Sequence, residues 1–289
     1  MRLRHRADAR ALLWALVLFP AVPAFGYFQP KLLPWLFPLA LYLAYGAGVL
    51  THYHNHCPVF VDKRVNKLYG AWLSLFYGYP IFVWIPTHNQ NHHRYTNGPG
   101  DATRTTRYSE RDSLWNLVSY PFRSAVWQAE GIKAYIAQAK ANRPERYREM
   151  LMQYAVVIGG HVGMLALSLG LHGPALGLVT YMLMAGIPAG FASWSMMFTN
   201  YVQHVGCDFS SADDHSRNFV SGWQNWLVFD AGFHTVHHEM PGVHWSEYRK
   251  LHAARADKID PVLNQNSIFG FCFKRYILGE EHLLPLRAT

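Results

Sequence analysis

The sequence predicts an all-α integral membrane protein, with four transmembrane helices in two hairpins and a cytoplasmic helical cap. Three observations predict it. Runs without a charged residue recur four times, over Ala11 to Phe28, Leu32 to Leu50, Leu151 to Leu171 and Gly173 to Asn200. Each is long enough, or nearly so, to cross about 30 Å of hydrocarbon as a helix. Half of the residues are hydrophobic, yet mean hydropathy is only −0.04, so the apolar residues are bunched and not spread evenly. If the N-terminus and the long inter-run segments are cytoplasmic, 25 of the 26 Lys and Arg residues lie on one side and only Lys31 on the other, as the positive-inside rule requires.

The elements follow in order. The first span, residues 11–28, comes after the basic stretch MRLRHRADAR. Its AVPAFG end also suits a cleaved signal peptide, but a second apolar run so soon afterwards favours a retained helix. Gln29 and Pro30 break the hairpin before the second span, residues 32–50. Residues 51–150 form a cytoplasmic insert. Within it, Leu68 to Pro86 is apolar and aromatic; a span there would spoil the charge distribution, so it reads as a buried or in-plane helix. Residues 151–171 and 174–199 make the second hairpin around LHGPA. Residues 200–289 return to the cytoplasm, with helical stretches around 214–233 and 245–258. The whole is read as a single domain, 1–289.

The net charge of +8 suits anionic lipid headgroups and an acidic redox carrier, and calls for no nucleic acid. Cys57, Cys207 and Cys272 are scattered and form no CxxC pair, so no disulfide is expected on the reducing side of the membrane.

The seventeen histidines are clustered. THYHNHCP carries His52, His54 and His56; HNQNHH carries His88, His92 and His93; NYVQH sets Asn200 four residues before His204; FHTVHH carries His234, His237 and His238. Side chains three or four residues apart share a helix face. That pairs His52 with His56, His88 with His92 (His93 beside them), Asn200 with His204, and His234 with His237 and His238. His54 falls on another face. Nine imidazoles from helices ending on one side are too many for one metal ion and about right for two. Imidazole suits Zn, Cu, Fe and Ni alike. No cysteine stands at structural-zinc spacing and no HExxH occurs. Carboxylates are sparse nearby in sequence, with Asp230 and Glu239 the nearest. The remaining histidines are read as structural.

HYHNH, HNQNHH and HTVHH resemble the three histidine boxes of the membrane fatty acid desaturase and hydroxylase superfamily, in order and over nearly the whole chain. The resemblance is strongest to the acyl desaturases. It implies a di-iron site held by His52, His56, His88, His92, His93, His204, His234, His237 and His238. NYVQH matches the family's further ligand histidine, and Asn200 would hold a water at one metal. O2 would be the co-substrate and the product most similar to the family's an alkene. Hydroxylation, oxidative decarboxylation to a terminal alkene and triple-bond formation are the alternatives that sites of this kind also support.

The substrate implied is a fatty acyl chain, as a CoA ester, carrier-protein ester, lipid or free acid. Trp84, Tyr181 and Trp194 are candidates for lining a dry tunnel, with interface anchoring as the other reading. Arg104 and Arg107, in the loop PGDATRTTRYSERD, are candidates for an anionic headgroup, with a plain basic loop as the alternative. Electrons would come from a separate ferredoxin, rubredoxin or cytochrome-type donor. The protein would be multi-pass, with both termini and the boxes cytoplasmic. The rival outside enzymes is a membrane metal-binding or transport protein. A transporter would place polar ligands inside its spans, whereas the box histidines lie at or past span ends and the spans hold one interior histidine, His161.

Overall fold

The computed structural model describes residues 2–284, and 72 % of the chain is helical. The helices used below are α1 (Asp8–Phe28), α2 (Pro30–His56), α3 (Lys63–Tyr77), α4 (Ile81–Tyr95), α5 (Leu114–Asn142), α6 (Pro144–His204), α7 (Gly222–Leu227), α8 (His234–Glu239) and α9 (Tyr248–Ala253). Three of them, α1, α2 and α6, are long and apolar enough to cross a membrane. The bent pair α3 and α4 would be a fourth candidate if the two made one span.

The last two predicted spans both lie in α6, a run of 61 residues. At 1.5 Å per residue it would be about 90 Å long if straight, three times a hydrocarbon core. It is not straight. Gly173, between the two predicted spans, has φ +74° and ψ 178°, a conformation open to glycine and costly for other residues. Across this break the Ser168 hydroxyl donates to the Gly177 carbonyl at 2.8 Å.

The chain divides into two compact units. The first runs up to Trp84 and includes Lys133–Met196; the second comprises Ile85–Ile132 and the residues from Met197 on. The predicted cytoplasmic insert is therefore not one body: its two ends pack with the apolar helices. In the first unit, glycines admit neighbouring sulfurs. A Cβ on Gly26 would lie 2.5 Å from Met184 Sδ, and one on Gly48 2.6 Å from Met196 Cγ. Several polar groups among these helices are paired, as an apolar surrounding favours. Trp72 Nε1 donates to the Ala15 carbonyl, His172 Nε2 to the Tyr27 carbonyl, and His161 joins the Tyr181 hydroxyl to the Leu75 carbonyl. An apolar cavity here measures about 40 Å³, lined by Phe19, Leu43 and Met184 among others. That is near the volume of one water, far short of an acyl chain.

α3 starts at Asp62, whose carboxylate accepts from the Arg64 and Val65 backbone N–H groups, and stops at Gly78 (φ +75°). It is the buried helix expected within 68–86, but only its first half; the chain bends before α4. His54 meets Asn66 and the Tyr69 ring. Its Nε2 donates to the Asn66 carbonyl, and Asn66 in turn clasps the backbone of Phe60.

In the second unit the helices expected around 214–233 and 245–258 are shorter, as α7 and α9. Phe229 and Asp230 adopt left-handed backbone (φ 55° and 58°), which no helix continues through. The unit also holds a small departure from an all-α fold: Asn218–Phe219 and Asn264–Gln265 pair in parallel, Asn218 opposite Asn264.

Candidate metal centre

Within the second unit, four histidines from three helices converge. His92 comes from α4, His204 from the end of α6, and His234 and His238 from α8; one ligand atom from each lies within 4.8 Å of all the others. His204 Nε2 stands 3.1 Å from His92 Nε2, 2.9 Å from His234 Nε2 and 3.1 Å from His238 Nε2. A second group in the same unit gathers His88, His93 and His237, with Nε2 atoms 3.0–3.3 Å apart.

His92 Nδ1 donates to Asp101 Oδ2 at 2.7 Å, and His204 Nδ1 donates to the His215 carbonyl at 3.1 Å. In the neutral form of each ring, with its one N–H so committed, Nε2 carries a lone pair, and the two Nε2 atoms, 3.1 Å apart, can be offered to one cation. The residues therefore fit a metal ion on their own geometry, and the all-imidazole set suits iron, zinc, copper or nickel. Burial, together with the neighbouring His234 and His93, keeps the His238 ring well below its ordinary value, hence neutral and able to ligate.

Local sequence sets the arrangement. Ile85–His92 winds as a π-helix before α-helical geometry resumes at His93. Wider winding brings residues five apart onto one side. His88 accordingly joins His93, while His92 joins His204. The i, i+4 spacing had paired His88 with His92, and had placed His234, His237 and His238 as one set; His237 instead sits with His88 and His93. On α8, His237 Nδ1 is hydrogen-bonded to the Tyr248 hydroxyl of α9 at 3.2 Å.

Asp101 is the residue that sequence reading missed. Its carboxylate accepts from His92 Nδ1, from the Asn97 and Thr103 backbone N–H groups and from the Thr103 hydroxyl, each at 2.7 Å. Burial alone would raise this carboxyl; the His92 ring beside it and the bonds from His92 and Thr103 outweigh that, holding it well below the usual carboxylate range. It joins the cluster through His92, while Asp230, the nearer carboxylate in sequence, pairs with Arg249 at 3.0 Å. The available signal was its context, an acid between glycine and a threonine two residues on, in a loop just after a histidine box. Asn97, left-handed at φ 65°, ties the same loop to α6 by donating to the His204 carbonyl at 3.3 Å.

The other predicted site residues are placed as follows. His52 and His56 lie on α2 in the first unit, ring centroids 5.0 Å apart, with His52 stacked on Trp84 at 5.1 Å. Trp84 is buried and Trp194 half-buried. Tyr181 has its hydroxyl on His161. Arg104 bonds the Thr106 hydroxyl, and Arg107 lies over the Trp127 ring at 5.1 Å. Asn200 donates to the Tyr120 hydroxyl at 2.8 Å. The three cysteines are free thiols.

Comparison with known proteins agrees with the site. The model of the fatty acid desaturase family matches residues 30–266. The chain thus belongs to the fatty acid desaturase family and is an oxidoreductase of that kind. It is 22 % identical over 265 residues to a sphingolipid delta(4)-desaturase DES1 of Xenopus tropicalis, covering 89 % of this chain and 77 % of that protein. No solved structure matches.

Two outcomes are expected at this site. Asp101→Asn leaves His92 without a carboxylate partner and should weaken metal binding at its cluster by about 10- to 100-fold. A metal titration against the parent checks this, and unchanged affinity would show that the carboxylate is not needed. Acidification should also release metal. A neutral His238 contributes stability that is full above its ordinary value of 6.5 and declines as pH falls below it, because the unfolded chain then binds the proton more readily. Metal retention and melting temperature measured from about pH 8 to about pH 5 should fall together below that value; a flat profile contradicts the assignment.

Proposed function

We propose that the protein is a multi-pass membrane di-iron enzyme that desaturates a fatty acyl chain. The observation that carries this reading is the set of converging imidazole Nε2 atoms, two of them held as lone-pair donors by Asp101 and the His215 carbonyl. Membership of the desaturase family supports iron as the metal. The proposed ligands are His92, His204, His234 and His238 at one iron and His88, His93 and His237 at the other, and His52 and His56 of the first box are proposed as iron ligands too. Asn200 is proposed to hold a water. When bound, two irons supplied with O2 and electrons provide an oxidant able to take hydrogen from an unactivated C–H bond. The net reaction is loss of two hydrogens from adjacent CH2 groups, with O2, two electrons and two protons giving two waters.

The residues of the chain do the rest. Asp101, Thr103 and Tyr248 orient rings; burial keeps the His204 and His238 rings neutral. The topology proposed is the one the charge distribution implies: two hairpins hinged at Gln29–Pro30 and at Gly173, both termini and all boxes cytoplasmic. The electron donor is proposed to be a separate ferredoxin, rubredoxin or cytochrome-type protein. Trp84, Tyr181 and Trp194 are proposed for the acyl chain, and Arg104 and Arg107 for its headgroup.

The test is mass spectrometry of lipids and volatiles from cells expressing the protein beside a His237→Ala/His238→Ala variant, with metal content read on the purified samples. Sphingolipids belong in the panel, given the relative named above. An acyl or long-chain product lighter by two hydrogens, with two irons per chain, is expected. A product gaining oxygen would make it a hydroxylase, and a volatile terminal alkene a decarboxylase. No product, with exchangeable zinc, would leave a metal-binding protein.

A further inference from the structure

Asn200 and His92 stand on different helices, yet a line of hydrogen bonds connects them. The Asn200 side-chain amide donates to the Tyr120 hydroxyl at 2.8 Å, and that hydroxyl donates to the Thr103 carbonyl at 2.5 Å. The Thr103 hydroxyl donates to Asp101, and Asp101 accepts from His92. Tyr120, from α5, is the middle of this line and is 2 % exposed.

The polarity of the line is forced. A carbonyl oxygen can only accept, so the single phenol hydrogen is committed to Thr103. Toward Asn200 the phenol oxygen can then only accept. The Asn200 amide must present its NH2 to Tyr120 and turn its Oδ1 away. Burial, with the nearby Asp101, pushes the Tyr120 phenol far above its ordinary value, so the hydrogen stays in place. The ring cannot swing, because it packs on Tyr201 at 5.1 Å, and Tyr201 is itself held by a bond to Asp112 at 3.1 Å.

We propose that Tyr120 is a positioning residue of the metal site: by accepting from Asn200 it fixes which end of the amide is left as an acceptor one helical turn before His204. A free amide would sample both orientations, and only Oδ1 can accept from a metal-bound water. This rests on the reading of Asn200 as the group that holds a water at the metal. Tyr120 acts through Asn200 and touches neither metal nor substrate.

The experiment uses the full chain in detergent with cobalt as the metal probe, since cobalt d–d absorption reports coordination number and bound water. Y120F is expected to bind as much cobalt as the parent, with its spectrum shifted toward that of N200A. The double variant Y120F/N200A should match N200A alone, because the two changes remove one device. An unshifted Y120F spectrum beside a shifted N200A spectrum overturns the proposal, as does a double variant shifted beyond N200A. If N200A itself leaves the spectrum unchanged while two cobalts bind, the water-holding reading of Asn200 fails and the proposal falls with it, while the metal site stands. N200D gives an independent check should Y120F not fold. It replaces the donor NH2 with a charged acceptor facing an oxygen that cannot donate to it, so it should lower the melting temperature by several degrees; an unchanged melting temperature would mean that the amide does not donate to Tyr120.

Discussion

His204→Ala should leave a folded chain that retains metal at one cluster and has lost it at the other. His204 Nε2 is the atom that three other imidazoles of its cluster approach within 2.9–3.1 Å, and its ring is fully buried. Without it, His92, His234 and His238 are left with three nitrogens and an open side. Metal per chain should drop by about half and product formation by on the order of a thousandfold or more, as when one member of an interdependent catalytic set is removed. Elemental analysis and product yield on the same preparation check it. Full metal loading with parental turnover would remove His204 from the site.

Gly232→Ala should do comparable damage without touching a ligand. A Cβ at Gly232 would lie 2.1 Å from the Phe219 carbonyl oxygen and 2.5 Å from Asn225 Oδ1. Neither can give way cheaply. The Phe219 carbonyl accepts from Asn225 Nδ2 at 2.7 Å, the Gly232 N–H donates to Asn225 Oδ1 at 2.9 Å, and the Phe219 N–H donates to the Gly232 carbonyl at 2.9 Å. The methyl would have to push apart backbone segments that are bonded to each other, at a cost of about 3 kcal/mol or more. His234 begins α8 two residues later, so its ring would move with the turn. A lowered melting temperature and weakened metal binding are expected together. A variant that melts and loads like the parent would show that the turn has slack.

The candidate ligands were legible because a helix writes its faces into spacing. Three histidine boxes and the pair of Asn200 and His204 named nine residues, and the structure gathers seven of them into two groups in the second unit. How they divide was not legible, since the division depends on winding. Nothing in IPTHNQNH announces a π-helix, and one extra residue per turn exchanges His92 for His93 as the partner of His88. Asp101 escaped for a different reason. It approaches His92 through a loop, where no period operates, and a lone acid nine residues from a histidine carries no pattern. The long apolar helices were readable from charge-free length, and the break at Gly173 from its place between two such runs. The short parallel pair at Asn218 and Asn264 could not be read, because two residues per strand are too few to alternate.

The four ligands of the cluster around His204 come from positions 92, 204, 234 and 238 of the sequence. A chain emerging from the ribosome cannot complete that set until residue 238 has been made. For most of its synthesis the protein carries half-built nests of imidazoles, each able to take up a passing ion loosely and wrongly. Among these four residues His238 is the one only partly buried, so a strong chelator is expected to reach the cluster first at the outer edge of α8.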